Sequence, residues 1–333
     1  MLVMDHPVFR RFWYPVMPLE NLADGPQRFV LLGQPLALFL DGDGAPGALE
    51  DRCCHRSARL SMGQVCDGVL ACPYHGWRYD RAGQCVHVPQ TPDAPASAHT
   101  LRKVRAFRCV ERYGYAWVAL EEPLFDIPRI PEVEEGSFRI LHEFYEPWAV
   151  SGLRVMENEL DMAHPSFVHL GTFGTPEHLM PRDASVEKFA NGLHYKSTLG
   201  VATAHHATEK SNVRHMEASW FLPFTVRTRI NYPDGPPHIL VNTLVPIDST
   251  HSMMVQFCLL ANQGEGMDAA KIWEFDRRVT LEDKALLEGT DPDVPLDPLA
   301  ERHIASDQPS IVMRQIVREL LEREEGSFRG GSR

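Results

Sequence analysis

Short apolar runs separated by Gly-Asp and proline turns fill the first third of the chain. Arg28–Gly33 (RFVLLG), Leu36–Gly44 (LALFLDGDG) and Tyr113–Leu120 (YGYAWVAL) have the length and apolar content of β-strands closed by turn residues. Pro123, Pro128 and Pro131 then interrupt Glu121–Gly136. Prolines this dense cannot continue a sheet or a helix, which places a domain boundary here, with domains over residues 1–122 and 123–333. Beyond it the pattern is mixed. Leu153–Ala163 (LRVMENELDMA) reads as a helix. Residues 194–206 (HYKSTLGVATAHH), 224–232 (FTVRTRINY), 238–247 (HILVNTLVPI) and 252–261 (SMMVQFCLLA) read as antiparallel strands. Residues 267–288 hold no Gly or Pro and predict a long helix. Met313, Ile316, Val317, Leu320 and Leu321 repeat at i, i+3, i+4, i+7, i+8, an amphipathic helix, and the closing GSFRGGSR is expected to be unordered. The fold class predicted is α+β, with an all-β first domain.

Composition narrows the function. A chain of 333 residues, 44% apolar and 23% charged, can build two ordinary globular cores. Its apolar runs are too short to span a bilayer. The opening MLVMDHPVFRRFWYPV carries charges and prolines and no cleavage site, so a cytoplasmic protein without membrane association is expected. The net charge of −12, from 33 basic and 45 acidic residues, argues against nucleic-acid partners. Seven cysteines, an odd number in a large chain, point to metal binding or buried thiols instead of a disulfide scaffold.

Four of those cysteines lie in CCHRSARLSMGQVCDGVLACPYH (Cys53–His75). Cys53 and His55 form a Cys-x-His pair, and Cys72 and His75 a Cys-x-x-His pair. Two tight loops at neighbouring hairpin ends could bring these ligands to one point. Two cysteines and two histidines can hold a tetrahedral zinc or a [2Fe–2S] cluster with the cysteines on one iron and the histidines on the other. Zinc fingers usually separate a Cys pair from a His pair; one of each per loop suits the cluster. A second concentration is MENELDMAHPSFVHLG (Met156–Gly171), with Asn158, Asp161, His164 and His169. Two histidines and a carboxylate make the facial triad of non-heme Fe(II) oxygenases. On one helix, residues five apart point roughly 140° apart. Pro165 is expected to end the helix near His164, because a residue before proline avoids the helical region, so that His169 can swing back.

The stretch CCHRSARLSMG…CPYHGWRYDRAGQC resembles the cluster-binding signature of Rieske non-heme iron oxygenases, and the resemblance extends over nearly the whole chain. It implies that Cys53 and Cys72 bind the inner iron, that His55 and His75 bind the outer one, and that Cys54 and Cys66 are not ligands. Asn158, Asp161, His164 and His169 match the family's N-x-x-D-x-x-H-x-x-x-x-H pattern. In the family, the Asp at this place links the Rieske histidine of one subunit to an iron-binding histidine of the next, which implies a homotrimer. The third iron ligand is expected on the long helix. TLEDKALLEG is similar to the family's E-D-x-x-x-[IL] segment and offers Asp283 in preference to Glu282, with Asp276 and Glu288 as solvated surface charges. Gly289-Thr290 departs from the family's usual continuation.

The resemblance implies a terminal oxygenase α-subunit with a helix-grip catalytic domain, a [2Fe–2S] cluster and mononuclear Fe(II). It would use O2 to hydroxylate, or N- or O-demethylate, a small aromatic or heterocyclic organic substrate. No G-x-G-x-x-G motif is present, so NAD(P)H electrons are expected to arrive through a separate ferredoxin or flavin reductase. Arg52, Arg56, Arg59, Arg78 and Arg81 offer a docking patch or pair with Asp51, Asp67 and Asp80. The strands from Leu199 to Leu260 and the segment after His169 are expected to line the pocket, and among them FLPFTVRTRINY, with its arginines, would tolerate an aromatic acid. The alternative is a Rieske electron carrier or a non-catalytic oxygenase-like subunit.

Overall fold

The computed structural model describes residues 2–93, 95, 100–201, 213–231, 236–262 and 268–330, the last four without their side chains. Residues 202–206 and Tyr232 of the predicted strands, and Met267 of the predicted helix, lie outside the described residues. The chain forms two compact units, Arg10–Asp126 and Met1–Phe9 with Ile127–Arg333. The N-terminal residues thus belong with the second unit: Phe9 stacks on Phe224 at 5.6 Å between ring centroids, and Val3 N–H donates to Asp293 Oδ1 at 3.4 Å.

The first unit is all β. Its strands are β1 (Tyr14–Pro18), β2 (Gln27–Leu31), β3 (Gln34–Leu40), β4 (Pro46–Glu50), β5 (Gln64–Cys66), β6 (Val69–Ala71), β7 (Arg78–Tyr79), β8 (Cys85–His87), β9 (Ala106–Arg112) and β10 (Tyr115–Ala119). Among the described residues they form a six-stranded sheet, β1-β10-β9-β4-β3-β2, and a four-stranded sheet, β5-β6-β7-β8. Phe39, Leu60, Leu70 and Tyr79 are fully buried beneath the loops that end β4 and β6.

In the second unit, α1 (Pro131–Glu134) leads into β11 (Phe138–Trp148), α2 (Gly152–Leu160) and α3 (Pro165–Val168). Strands β12 (Arg182–Phe189), β13 (Gly192–Gly200), β14 (Val213–Phe221), β15 (Thr225–Asn231), β16 (His238–Pro246) and β17 (Ser252–Ala261) follow, then α4 (Ala269–Leu287) and α5 (Gln308–Gly330). Among the described residues these strands form one antiparallel sheet, β11-β17-β16-β15-β14-β13-β12. Helix α4 starts at Asp268, whose carboxylate accepts the Ala270 N–H. Its buried residues Ile272, Asp276, Thr280 and Leu287 are spaced by four, four and seven positions, one or two helical turns each, so one stripe faces the sheet. Helix α5 extends to Gly330, past the point where the sequence predicted loss of order, because its glycines sit at the end of a helix already propagated from the buried Met313–Leu320 stripe. No helix among the described residues is long and apolar enough to cross a membrane.

Candidate active site and metal centres

In the first unit, Cys53 and His55 lie on the loop between β4 and β5, and Cys72 and His75 on the loop between β6 and β7. Both loops close on themselves. Ser57 N–H donates to Cys53 O at 2.9 Å and Gly76 N–H to Cys72 O at 3.0 Å. Gly76 has φ +72°, a turn that a side chain would strain. The two cysteines are buried, His55 is exposed and His75 half-buried. The imidazole centroids of His55 and His75 are 4.6 Å apart, and Trp77 stacks flat on His55 at 4.4 Å. Burial, then the neighbouring Cys53, push the Cys72 thiol pKa up. Two thiols held this close without a disulfide, facing two imidazoles, fit a metal cluster that keeps them as thiolates. Tyr79 Oη is 3.1 Å from Cys53 Sγ and 3.3 Å from Cys54 Sγ, and burial keeps it a phenol. Around the loops, Arg78 pairs with Asp67 and Arg81 with Asp41, both at 2.6 Å. Arg52, Arg56 and Arg59 are exposed and make no ion pair among the described residues.

In the second unit, α2 ends earlier than the sequence suggested. Asp161 is extended (φ −93°, ψ 116°), and its Oδ1 accepts the N–H groups of Ala163 at 2.7 Å and His164 at 3.4 Å. The expected break at His164 is corrected: His164 is helical (φ −56°, ψ −32°), with Pro165 opening α3. The Asp161 side chain turns the chain three residues upstream, and proline at the first position of a helix costs nothing because its missing N–H needs no partner there. One turn of α3 then delivers His169. Gly174 N–H donates to His169 O at 2.7 Å, and a Cβ at Gly174 would come within 2.0 Å of Pro165 O, so only glycine lets the loop close over this turn.

The result is a convergence of three donors. His164 Nε2 and His169 Nε2 are 3.2 Å apart, and Asp283 Oδ1, from the buried face of α4, is 3.5 and 3.4 Å from them. Three donors bonded at roughly 2.1 Å to one ion stand ~3.0–3.4 Å apart. Asp283 Oδ1 is buried with no hydrogen-bond donor, an orphaned acceptor that a cation would satisfy. Burial lowers the pKa of His164, and burial with the Arg214 charge lowers that of His169 to about 4, so both rings are neutral ligands. Burial raises Asp283 to about 6, offset by His164 and by a hydrogen bond from Asn158. The set fits a 2-His-1-carboxylate iron site.

The other acidic residues of α4 divide differently from the sequence expectation. Glu282 Oε2 accepts from His169 Nδ1 at 2.9 Å. Asp276 is not a solvated charge: it is 3% exposed and its Oδ2 lies 2.9 Å from His238 Nε2. Glu288 accepts the Ala149 N–H at 3.0 Å. Asn158, Asp161, His164, His169 and Asp283 all line one cavity of ≈ 110 Å³ between the sheet, α2 and α4. Of the segment FLPFTVRTRINY, Thr228 and Ile230 line it. Arg227 and Arg229 do not; strand alternation turns them to the other face, where both bond Glu132. The arginine in the cavity is Arg214, on a strand within the Leu199–Leu260 range expected to line it, though no motif singled it out. His238 and Asn242, in the same range, share one face of β16 by their even spacing and line the cavity as well.

The chain matches the Rieske [2Fe-2S] domain over residues 12–108 and the vanillate O-demethylase oxygenase C-terminal domain over residues 148–323. It is similar to the methylxanthine N1-demethylase NdmA of Pseudomonas putida, 32% identical over 97% of this chain and 92% of that protein. It is also similar to the N3-demethylase NdmB of the same organism, 30% identical over 96% and 91%. The solved structure of Pseudomonas putida CBB5 NdmA with caffeine superposes with a TM-score of 0.84 at 30% identity, covering 97% of this chain and 94% of that one. Dicamba monooxygenase bound to dicamba shares the fold, with a TM-score of 0.79 at 23% identity over 95% and 98%.

Proposed function

The chain belongs to the Rieske non-heme iron oxygenases, as a terminal oxygenase α-subunit with a catalytic domain of the vanillate O-demethylase type, and on that premise we propose that it hydroxylates, or N- or O-demethylates, a small aromatic or heterocyclic substrate. The electrons come from NAD(P)H through a separate ferredoxin or flavin reductase. The observation that carries this reading is the convergence of His164, His169 and Asp283 on a shared cavity.

In this reading Cys53, Cys72, His55 and His75 hold the [2Fe–2S] cluster, and His164, His169 and Asp283 hold Fe(II). When bound, the cluster supplies electrons singly and the mononuclear iron supplies the centre at which O2 is activated. The chain's own residues do the rest. Asn158 and Glu282 hold Asp283 and His169 in orientation. Phe173, Phe275, Val279 and Met216 form apolar walls that exclude water and seat a ring. The cavity of ≈ 110 Å³ is on the scale of the ~150 Å³ that accommodates benzene, which favours a small planar substrate. One oxygen atom enters a substrate C–H bond and the other leaves as water, with two electrons and two protons consumed. At an N- or O-methyl carbon the hydroxylated product releases formaldehyde, so one first step serves both outcomes. Asp161 Oδ1 is occupied by two backbone donors; its Oδ2 is the oxygen offered to His75 of a neighbouring copy in a homotrimer.

The test is O2 uptake with a surrogate reductase across a panel of methylated aromatic and heteroaromatic compounds, with formaldehyde assayed. About three irons per chain and substrate-dependent uptake are expected. A chain holding only about two irons and consuming no O2 is an electron carrier, and that result overturns the reading.

A further inference from the structure

About two helical turns before Asp283 on α4, Asp276 marks a second meeting of donor groups that the reaction above does not use. Among the described residues, two sets of three His, Cys, Asp or Glu donors converge within 4.8 Å: His164, His169 and Asp283, and His238, Cys258 and Asp276. The second set is the more deeply buried, at 2%, 0% and 3% exposure. The sheet register produces it. Leu240 pairs with Cys258, so His238, two residues before Leu240, lies diagonal to Cys258 on the same face of β16 and β17. The buried stripe of α4 lowers Asp276 onto that face, its Oδ2 2.9 Å from His238 Nε2. A bulge in β11 between His142 and Phe144 brings Glu143 to the same place, within hydrogen-bonding range of both Asp276 and Cys258.

A thiol in an ordinary core faces only apolar neighbours. Cys258 packs with Leu260 and Ile272, but it also faces an imidazole and two carboxyl groups. Glu143 is 6% exposed. Its Oε2 accepts from Gln256 Nε2 at 2.8 Å, and Gln256 Oε1 accepts from the Thr280 hydroxyl at 2.8 Å, which fixes the carboxyl group in place. Its Oε1 is left buried with no hydrogen-bond donor, an acceptor that a cation would satisfy. Without a cation, burial pushes every acid here to keep its proton: Glu143 is raised to about 9, Asp276 to about 7 and the Cys258 thiol upward, while His238 is lowered to about 4. A divalent cation compensates the same burial by binding the three acids as anions and the imidazole as a neutral donor. The donor types select the ion. Thiolate and imidazole together suit Zn(II), which also accepts carboxylate oxygen and takes four ligands in a tetrahedron. Nitrogen and oxygen donors on such an ion stand ~3.3 Å apart, so the His238–Asp276 contact needs to open by a few tenths of an ångström. With three anionic ligands the filled site carries one net negative charge, which the field of the Arg214 guanidinium, felt at His238 and Asp276, favours.

We propose that His238, Cys258 and Asp276, completed by Glu143, form a zinc-type divalent-metal site separate from the iron triad, and that it clamps α4 to strands β11, β16 and β17. The ligands come from four elements distant in sequence, so the ion cross-links the helix to the sheet, and its binding free energy becomes folding free energy. Asp283 projects from the same helix two turns on, so the clamp fixes the backbone that carries it. No electron is transferred. The thiol proton and any carboxyl protons still bound pass to solvent as the metal–ligand bonds form. The site depends on neither the substrate nor the oxygenase reading.

The probe is Zn(II), added to iron-loaded protein and followed by dialysis, with zinc and iron counted per chain. Close to one zinc is expected to remain, with about three irons kept. X-ray absorption at the zinc edge, which the irons do not obscure, should show one sulfur neighbour at ~2.3 Å and nitrogen or oxygen neighbours at ~2.0–2.2 Å. Cys258→Ala should lose the sulfur neighbour and most of the zinc, and Asp276→Asn should retain little zinc, both with their irons in place. Glu159→Gln, which alters a different cavity carboxyl, should hold zinc as the wild type does. Zinc should raise the melting temperature of the wild type and not that of Asp276→Asn. If Asp276→Asn does not fold by circular dichroism, the zinc edge and Cys258→Ala still decide. No retained zinc, a zinc edge without sulfur, zinc gained only as iron is lost, or wild-type zinc in Cys258→Ala and Asp276→Asn overturns the proposal and leaves the four groups sharing protons. None of these outcomes touches the oxygenase reading. A wild type that binds no mononuclear iron rejects that reading, and zinc on Cys258 would stand regardless.

Discussion

Glu282 Oε2 stands 2.9 Å from His169 Nδ1 and also accepts the Thr172 hydroxyl at 2.9 Å. The contact assigns the tautomer: Nδ1–H donates to the carboxylate, and Nε2 presents its lone pair towards His164 and Asp283. Losing such a support typically costs 10–100-fold in metal affinity. Glu282→Ala is therefore expected to weaken Fe(II) binding by roughly that factor, and Glu282→Gln, which keeps an acceptor oxygen, by less. Anaerobic Fe(II) titration measures it, with the cluster EPR signal unchanged in both. Wild-type affinity in Glu282→Ala would reduce the contact to a surface ion pair.

Acid should release the mononuclear iron through Asp283 first. Its carboxyl is raised to about 6, while His169 is lowered to about 4. Above pH 6 the carboxylate is already ionised, and binding releases no proton from it. Below that, metal must displace one proton, and Fe(II) affinity should fall about tenfold per pH unit, steepening only near pH 4 when His169 protonates. Asp283→Ala should hold no mononuclear iron at any pH while keeping the cluster. A single break in affinity near pH 4 would contradict the assignment of Asp283 as the anionic ligand.

Tyr79 Oη, 3.1 Å from Cys53 Sγ, donates to a sulfur that would become more electron-rich on cluster reduction. Hydrogen bonds to cluster sulfurs raise the reduction potential. Tyr79→Phe is expected to lower it by roughly 50–100 mV, with both metal sites filled. Protein-film voltammetry reads this directly, and an unshifted potential would show that the hydroxyl does not serve the sulfur.

Asp161 and His75 are expected to work across subunits. Asp161→Ala and His75→Ala should each suppress turnover severely while remaining trimeric. Mixed and reassembled, they should recover part of it, because one junction in a mixed trimer keeps both residues. A monomeric wild type with full activity would remove the inter-subunit route.

Much of the candidate site's geometry was legible in the chain because it is local. Cys53 with His55, and Cys72 with His75, lie two and three residues apart, so a single tight turn brings each pair together. Strands β15, β16 and β17 and helix α4 follow their periodicities closely, since buried faces impose a period of 2 or 3.6 on any sequence that forms them. The turn at His164 was misplaced for an equally local reason: the Pro165 rule is a steric tendency, and the Asp161 side chain, bonded to two backbone N–H groups, outweighed it.

What the sequence determined by itself is the pairing of Cys53 with His55 and of Cys72 with His75 on two tight loops, and the stripe of α4 that carries Asp283. Tertiary structure decided which distant groups meet them. Glu282 lies 113 residues from His169, Glu143 lies 113 from Gln256, and Asp276 lies 38 from His238. No spacing rule links such pairs; the register of β11, β16 and β17 and the seating of α4 across them do. Strand alternation made Arg227 and Arg229 equivalent candidates for the cavity, and only the pairing of β15 within the sheet sent both to Glu132 and left Arg214 inside. The reason is physical: side chains on one turn meet whatever the rest of the chain does, whereas a buried charge finds its partner only after the sheet has closed around it.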